Sequence, residues 1–86
     1  MVIYYDKPIE AICFKFEPED WSTQRGAKFI EEIKKVVPDD YRYTEVFMDK
    51  ELLWRIDDKY IPEFVSIYKR IYPFDWIFKT IKIYYD

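Results

Sequence analysis

The residues with the clearest capacity for chemistry are acidic. Glu17, Glu19 and Asp20 follow one apolar stretch, and Asp57 and Asp58 follow another. The two loops that follow these stretches are expected to emerge side by side at one end of a sheet, where the carboxylates would gather and could hold Mg²⁺ for phosphodiester chemistry, since that ion prefers oxygen ligands. Carboxylates at helix starts also cap free N–H groups and complement the helix dipole, which needs no metal. We therefore assign no metal site and no cofactor. Nucleophilic catalysis finds little material. The chain has no histidine, so the usual general base and the commonest transition-metal ligand are missing. Cys13 is the single cysteine, which rules out an internal disulfide and a cysteine-based zinc cluster. Ser22, Thr23 and Ser66 have no base at a recognisable spacing, and Gly26 is the only glycine, so a phosphate-cradling loop is excluded. The expectation is a protein without enzymatic activity.

The elements that would position these residues come from composition and periodicity. Eighty-six residues, half of them hydrophobic and 22% aromatic, make one domain with ample core material. An internal match sets residues 29–48 over 64–83 at a shift of 35, placing Phe29 on Phe64, Lys34 on Lys69, Pro38 on Pro73 and Asp40 on Asp75. Upstream, "ICFKFE" (12–17) falls on "LLWRID" (52–57) at a shift of 40, so the first half carries five extra residues before its helix. The pseudo-duplication thus covers 9–48 and 51–85. The tetrapeptide "IYYD", present at 3–6 and 83–86, does not correspond under this alignment; it reads as two tyrosine-rich strands that stop at an aspartate.

Each half reads strand, helix, strand. Residues 9–16 alternate, with Ile12, Phe14 and Phe16 on one side and Ala11, Cys13 and Lys15 on the other. Phe29, Ile30, Ile33, Val36 and Val37 recur at helical spacing; Asp20, Ser22 or Thr23 can cap that helix, and Pro38 stops it. "PDDY" turns into a strand over 41–48. In the second half, Leu52, Trp54 and Ile56 share a strand face, and Asp57 or Asp58 can cap a helix striped by Ile61, Phe64, Val65, Tyr68, Ile71 and Tyr72. A final strand spans 76–85. The fold expected is α+β and ferredoxin-like, βαββαβ, with a four-stranded antiparallel sheet in the order 4-1-3-2 and both helices on one face. Residues 2–5 are a candidate extra strand. With both flanks of the first core strand taken, that strand must bend off at Pro8 or add at an outer edge. The competing arrangement is an unrelated α+β fold in which 2–5 is a true fifth strand.

Two helices on one face leave the other face open. There the alternation places Lys15, Tyr41, Tyr43, Leu53, Arg55, Trp76, Phe78 and Lys82, together with Cys13, Glu45 and Phe47, while Val46 and Met48 face the core. The inner set of the last strand, Ile77, Lys79, Ile81 and Ile83, includes a lysine, which leaves its facing ambiguous. An apolar patch of this size invites cover. One reading is packing against another protein, such as a second copy through a two-fold axis. Another is a stacking platform for single-stranded nucleic acid using Tyr43, Phe78, Lys15 and Arg55. The third is that the faces are inverted and the aromatics are core. "LLWRID" lacks the glycine that RNA-recognition domains carry on the equivalent strand, and a net charge of −3 argues against a general basic field for duplex nucleic acid. No apolar run approaches the ~20 residues of a membrane span. The opening "MVIYYDKPIE" does not read as a signal peptide, and with a lone thiol a cytoplasmic location is expected. Asparagine is absent and lysine and glutamate are plentiful, a bias of proteins from hot environments and equally of AT-rich genomes.

"KPIEAICF" (7–14) resembles the opening of small uncharacterised phage proteins that begin Lys-Pro, an aliphatic stretch, then Glu-Ala and an aromatic. The resemblance implies a virus- or mobile-element-encoded accessory factor that binds a host protein, with no catalytic residues to carry over. The functional expectation is a protein-interaction module, homodimeric through its open sheet face or an outer strand.

Overall fold

The arrangement turns on a four-residue connection, Lys7-Pro8-Ile9-Glu10. Proline's fixed φ suits the second position of a tight turn. In the computed structural model, which describes residues 1–46 and 52–74 and the backbone of 82–84, the Glu10 N–H donates to the Lys7 carbonyl at 3.1 Å. Glu10 itself takes φ 52, the left-handed conformation that completes the reversal. The hairpin so closed pairs β1 (Val2–Asp6) with β2 (Ala11–Lys15) antiparallel, from Val2 opposite Lys15 to Asp6 opposite Ala11.

That pairing corrects the placement expected for the N-terminal strand, which neither bends away nor sits at an outer edge. The sheet order is β3-β4-β2-β1-β5, with β3 at Arg42–Val46, β4 at Leu52–Asp57 and β5 at Lys82–Tyr84. The 4-1-3-2 order would put β5 against β2; instead β1 holds that flank and β5 runs parallel to β1. Each neighbouring pair among the first four strands is antiparallel, so the α+β class stands. The first tyrosine-rich segment lies in β1, and the described residues of the second, Ile83 and Tyr84, lie in β5 beside it, with Tyr5 opposite Ile83.

Two main helices cover one face. α2 (Arg25–Val36) sends in Phe29 and Ile33, followed by Val37, and α3 (Ile61–Ile71) sends in Phe64, Ile67 and Tyr68, followed by Tyr72. They close on Ile3, Ile12, Phe14, Trp54 and Ile56 from the sheet. Residues 35 apart in sequence (Phe29 and Phe64, Ile33 and Tyr68, Val37 and Tyr72) are all buried in this one cluster.

The helix starts differ from expectation. A short α1 (Pro18–Ser22) occupies the extra connection of the first half, and Asp20 serves it by accepting the Glu17 N–H at 2.7 Å. Ser22 and Thr23 hydroxyls turn back to the Glu19 carbonyl instead of capping α2, which begins after Gln24 at φ 63 without a side-chain cap. Asp57 does cap, accepting the Lys59 N–H at 3.0 Å ahead of the 3₁₀ turn Asp58–Tyr60. Gly26 allows α1 and α2 to meet: a Cβ there would lie 3.3 Å from the Asp20 carbonyl oxygen and from the Phe16 and Trp21 rings. No helix among the described residues is long and apolar enough to cross a membrane.

Candidate functional site

The carboxylates do not assemble. β2 and β4 run antiparallel, Ala11 opposite Asp57 and Phe14 opposite Trp54, so the segments that follow them leave from opposite ends of the sheet. Glu17 and Asp20 lie by the α-amine of Met1, at 3.2 and 2.9 Å. Asp58 lies at the other end, where the Tyr5 hydroxyl donates to it at 3.0 Å and its own N–H donates to the Glu10 carbonyl. The expectation that both loops emerge side by side is therefore wrong. Among the described residues no group of three metal-ligating side chains forms.

On the helix-free face, register builds a row across the sheet. Tyr43 stands opposite Arg55, Arg55 opposite Cys13, Cys13 opposite Tyr4, and Tyr4 opposite Lys82. Two of the expected face residues, Tyr43 and Arg55, thus fall in one line, and the backbone of Lys82 continues it. Leu53 sits beside it, opposite Glu45, and Lys15 stands opposite Val2. Trp76 and Phe78, with Phe47 and Met48, lie outside the described residues.

This face is not bare. Cys13 and Leu53 are 0% and 2% exposed and form a second small cluster with Ala11, against which Tyr4 packs. Burial pushes the Cys13 thiol up from its ordinary value, against the pull of Tyr4 and Arg55. Burial likewise pushes the Tyr4 phenol up, to about 12, with Cys13 adding to the effect. Burial pulls the Arg55 guanidinium down, but the Glu45 carboxylate, to which it is ion-paired, and Cys13 together carry it above its ordinary value. Tyr4 and Cys13 are thus held neutral and Arg55 is ion-paired, an arrangement that serves structure. Cys13 in the folded protein is accordingly expected to react with Ellman's reagent on the order of 100-fold more slowly than in denaturant. Native and denatured rates within a few-fold of each other would contradict this burial.

Tyr41 leaves the expected set altogether. It ends the 3₁₀ turn Asp39–Tyr41 and packs on the main core, its ring 5.4 Å from Tyr60 and 3.5 Å from the Lys59 ammonium. Val46, expected to face the core, is 67% exposed, because no residue of outer strand β3 belongs to the helix-covered cluster. Part of the exposed apolar surface of the described residues lies on the β3–β4 pair, the rest being spread over Val2, Ile9, Trp21, Val36 and Phe74. Tyr43, 55% exposed, marks one face, and Val46 with its register partner Leu52 marks the other. Periodicity assigned the sides of β3 correctly, but it carries no information on how far the helices reach. A groove of about 410 Å³ between α2 and α3, floored by Ile67, carries Glu32 and Arg70. Its charges are matched, since Glu32 already receives Lys28, Lys35 and Arg70.

No protein-family model, curated protein or solved structure is matched by this chain.

Proposed function

We propose that this chain is a non-enzymatic protein-interaction module that associates with a second copy of itself. The observation that carries the reading is β3: an outer strand, exposed from Tyr43 to Val46, with apolar side chains on both of its faces. An outer strand offers a row of backbone donors and acceptors, and a β-prone, proline-free one templates pairing with another chain. The lack of any histidine, the buried high-pKa thiol and the split carboxylates support a role without catalysis. With β1 set aside, the order β3-β4-β2-β5 is that of a ferredoxin-like sheet, so we read the fold as that unit with an N-terminal strand inserted.

Sedimentation or light scattering across the micromolar to millimolar range tests this. The mass is expected to climb from 10.8 kDa towards twice that value. A mass fixed at 10.8 kDa overturns the reading. A change in tryptophan fluorescence on adding a short single-stranded oligonucleotide, at that fixed mass, would replace it with nucleic-acid binding.

A further inference from the structure

We infer that two copies pair edge to edge through β3, antiparallel, about a two-fold axis passing through Thr44; this rests on the self-association proposed above and specifies its geometry. The argument begins with what the edge lacks. Natural outer strands are blunted by proline, lysine, bulges or inward charges. β3, Arg42-Tyr43-Thr44-Glu45-Val46, has none of the first three, and its inward side carries Thr44 and Val46, opposite Trp54 and Leu52. Its one inward charge, Arg42, is directed back to the Val37 carbonyl at 2.8 Å and to Asp39, off the edge.

Symmetry then limits the register. An antiparallel pair within one continuous sheet needs the two-fold axis perpendicular to the sheet, so a residue must face one of its own parity. Three such registers place the axis inside the strand. With the axis at Glu45, two carboxylates meet directly, which is unfavourable. With the axis at Tyr43, Glu45 falls opposite Tyr41, which belongs to the 3₁₀ turn and not to the strand. With the axis at Thr44, all five residues of β3 find a partner. Thr44 meets Thr44, Tyr43 meets Glu45, and Arg42 meets Val46. No like charges are opposed, and threonine pairs are favourable across strands. A five-residue strand pair covers less than the ~1,600 Å² of a standard interface, so a weak dimer is expected.

The test is a charge swap on the axis, at a position exposed enough to accept it. Thr44→Lys and Thr44→Glu are each expected to weaken dimerisation by about 10-fold, because two like charges then face each other. An equimolar mixture of the two variants is expected to recover wild-type association, with circular-dichroism melts of each variant unchanged from wild type. Recovery requires that position 44 face itself, so a general disturbance of the hairpin does not produce it. Variants that dimerise as wild type does, or a mixture that fails to recover, overturn the axis while leaving self-association in place. A wild-type chain that never dimerises overturns both.

Discussion

Asp20→Ala is expected to lower folding stability by about 3 kcal/mol, because it removes a buried carboxylate and leaves the Glu17 N–H and the Tyr72 hydroxyl without their acceptor, while the Met1 ammonium keeps Glu17. Asp20 is 2% exposed and gathers three donors, two of them from distant parts of the chain. Its Oδ2 receives the Glu17 N–H at 2.7 Å and lies 2.9 Å from the Met1 ammonium, and its Oδ1 accepts the Tyr72 hydroxyl at 2.7 Å. One carboxylate thereby fastens α1, the start of β1 and the end of α3 together. For a domain of this size the loss corresponds to a fall in melting temperature of at least ~12 °C. Tyr72→Phe removes one donor and leaves the ion pair, so about 1 kcal/mol is expected from it. Acid gives an independent check. Burial alone would raise the Asp20 pKa, but the Glu17 N–H, the Met1 ammonium and the Tyr72 hydroxyl hold it below the ordinary 3.8. A folded-state value below the unfolded one means that this stability is in place above the unfolded value and drains away as the pH falls through the folded one. Wild type should therefore exceed Asp20→Asn at neutral pH and converge on it in melts taken below about pH 4. A gap that stays constant into strong acid would show that the carboxylate charge is not what holds these segments.

Asp20 also shows where reading the chain succeeds and stops. Its place ahead of an apolar run marks it as a cap for α2, whereas it lies inside α1 and completes that helix's capping box by accepting the N–H of the N-cap residue Glu17. Its partner Tyr72 lies 52 residues away, and nothing local announces that contact. The same division runs through the fold. Alternation over 11–15 and 52–57 assigns the helix-side residues Ile12, Phe14, Trp54 and Ile56, because a period of two leaves each residue only one of two faces. It says nothing of neighbours, so the insertion of β1 beside β2 is not legible in it. The information for that insertion sits in Lys7-Pro8-Ile9-Glu10, a hairpin without the Asn-Gly signal, and closing four residues costs less entropy than any long return. The placement of the carboxylates fails for a related reason, since their separation follows from the antiparallel sense of β2 and β4. Tyr41 escapes because one 3₁₀ turn rotates it out of the strand's period and onto Tyr60. Cys13 and Leu53 are buried on a face expected to be open, and alternation cannot separate a covered side from a wet one.

Phe29→Ala is expected to be at least as damaging as Asp20→Ala, with a loss of about 3–5 kcal/mol from transfer and cavity together. The ring is fully buried and stands at the centre of an edge-to-face cluster. Its centroid is 5.3 Å from Phe14 and from Phe64, 6.1 Å from Tyr72 and 6.4 Å from Tyr68, with planes inclined at 67–80°. Inclined rings gain from quadrupole geometry beyond their buried area, so truncating the central one removes several such pairings at once. Total stability for 86 residues is on the order of 4–13 kcal/mol, and a loss of this size takes a large share of it. Phe64→Ala should cost a similar amount. Because Phe29 and Phe64 touch, the double variant should lose less than the sum of the two, since the second truncation enlarges a cavity already opened. Phe74, 80% exposed, supplies the contrast: its replacement by alanine should fall within about 0.5 kcal/mol of wild type. Chemical denaturation of the four variants measures all of this on one scale. A Phe29→Ala loss below about 1 kcal/mol, or strict additivity with Phe64→Ala, would mean that the two helices do not meet through these rings, and the one-sided core would have to be redrawn.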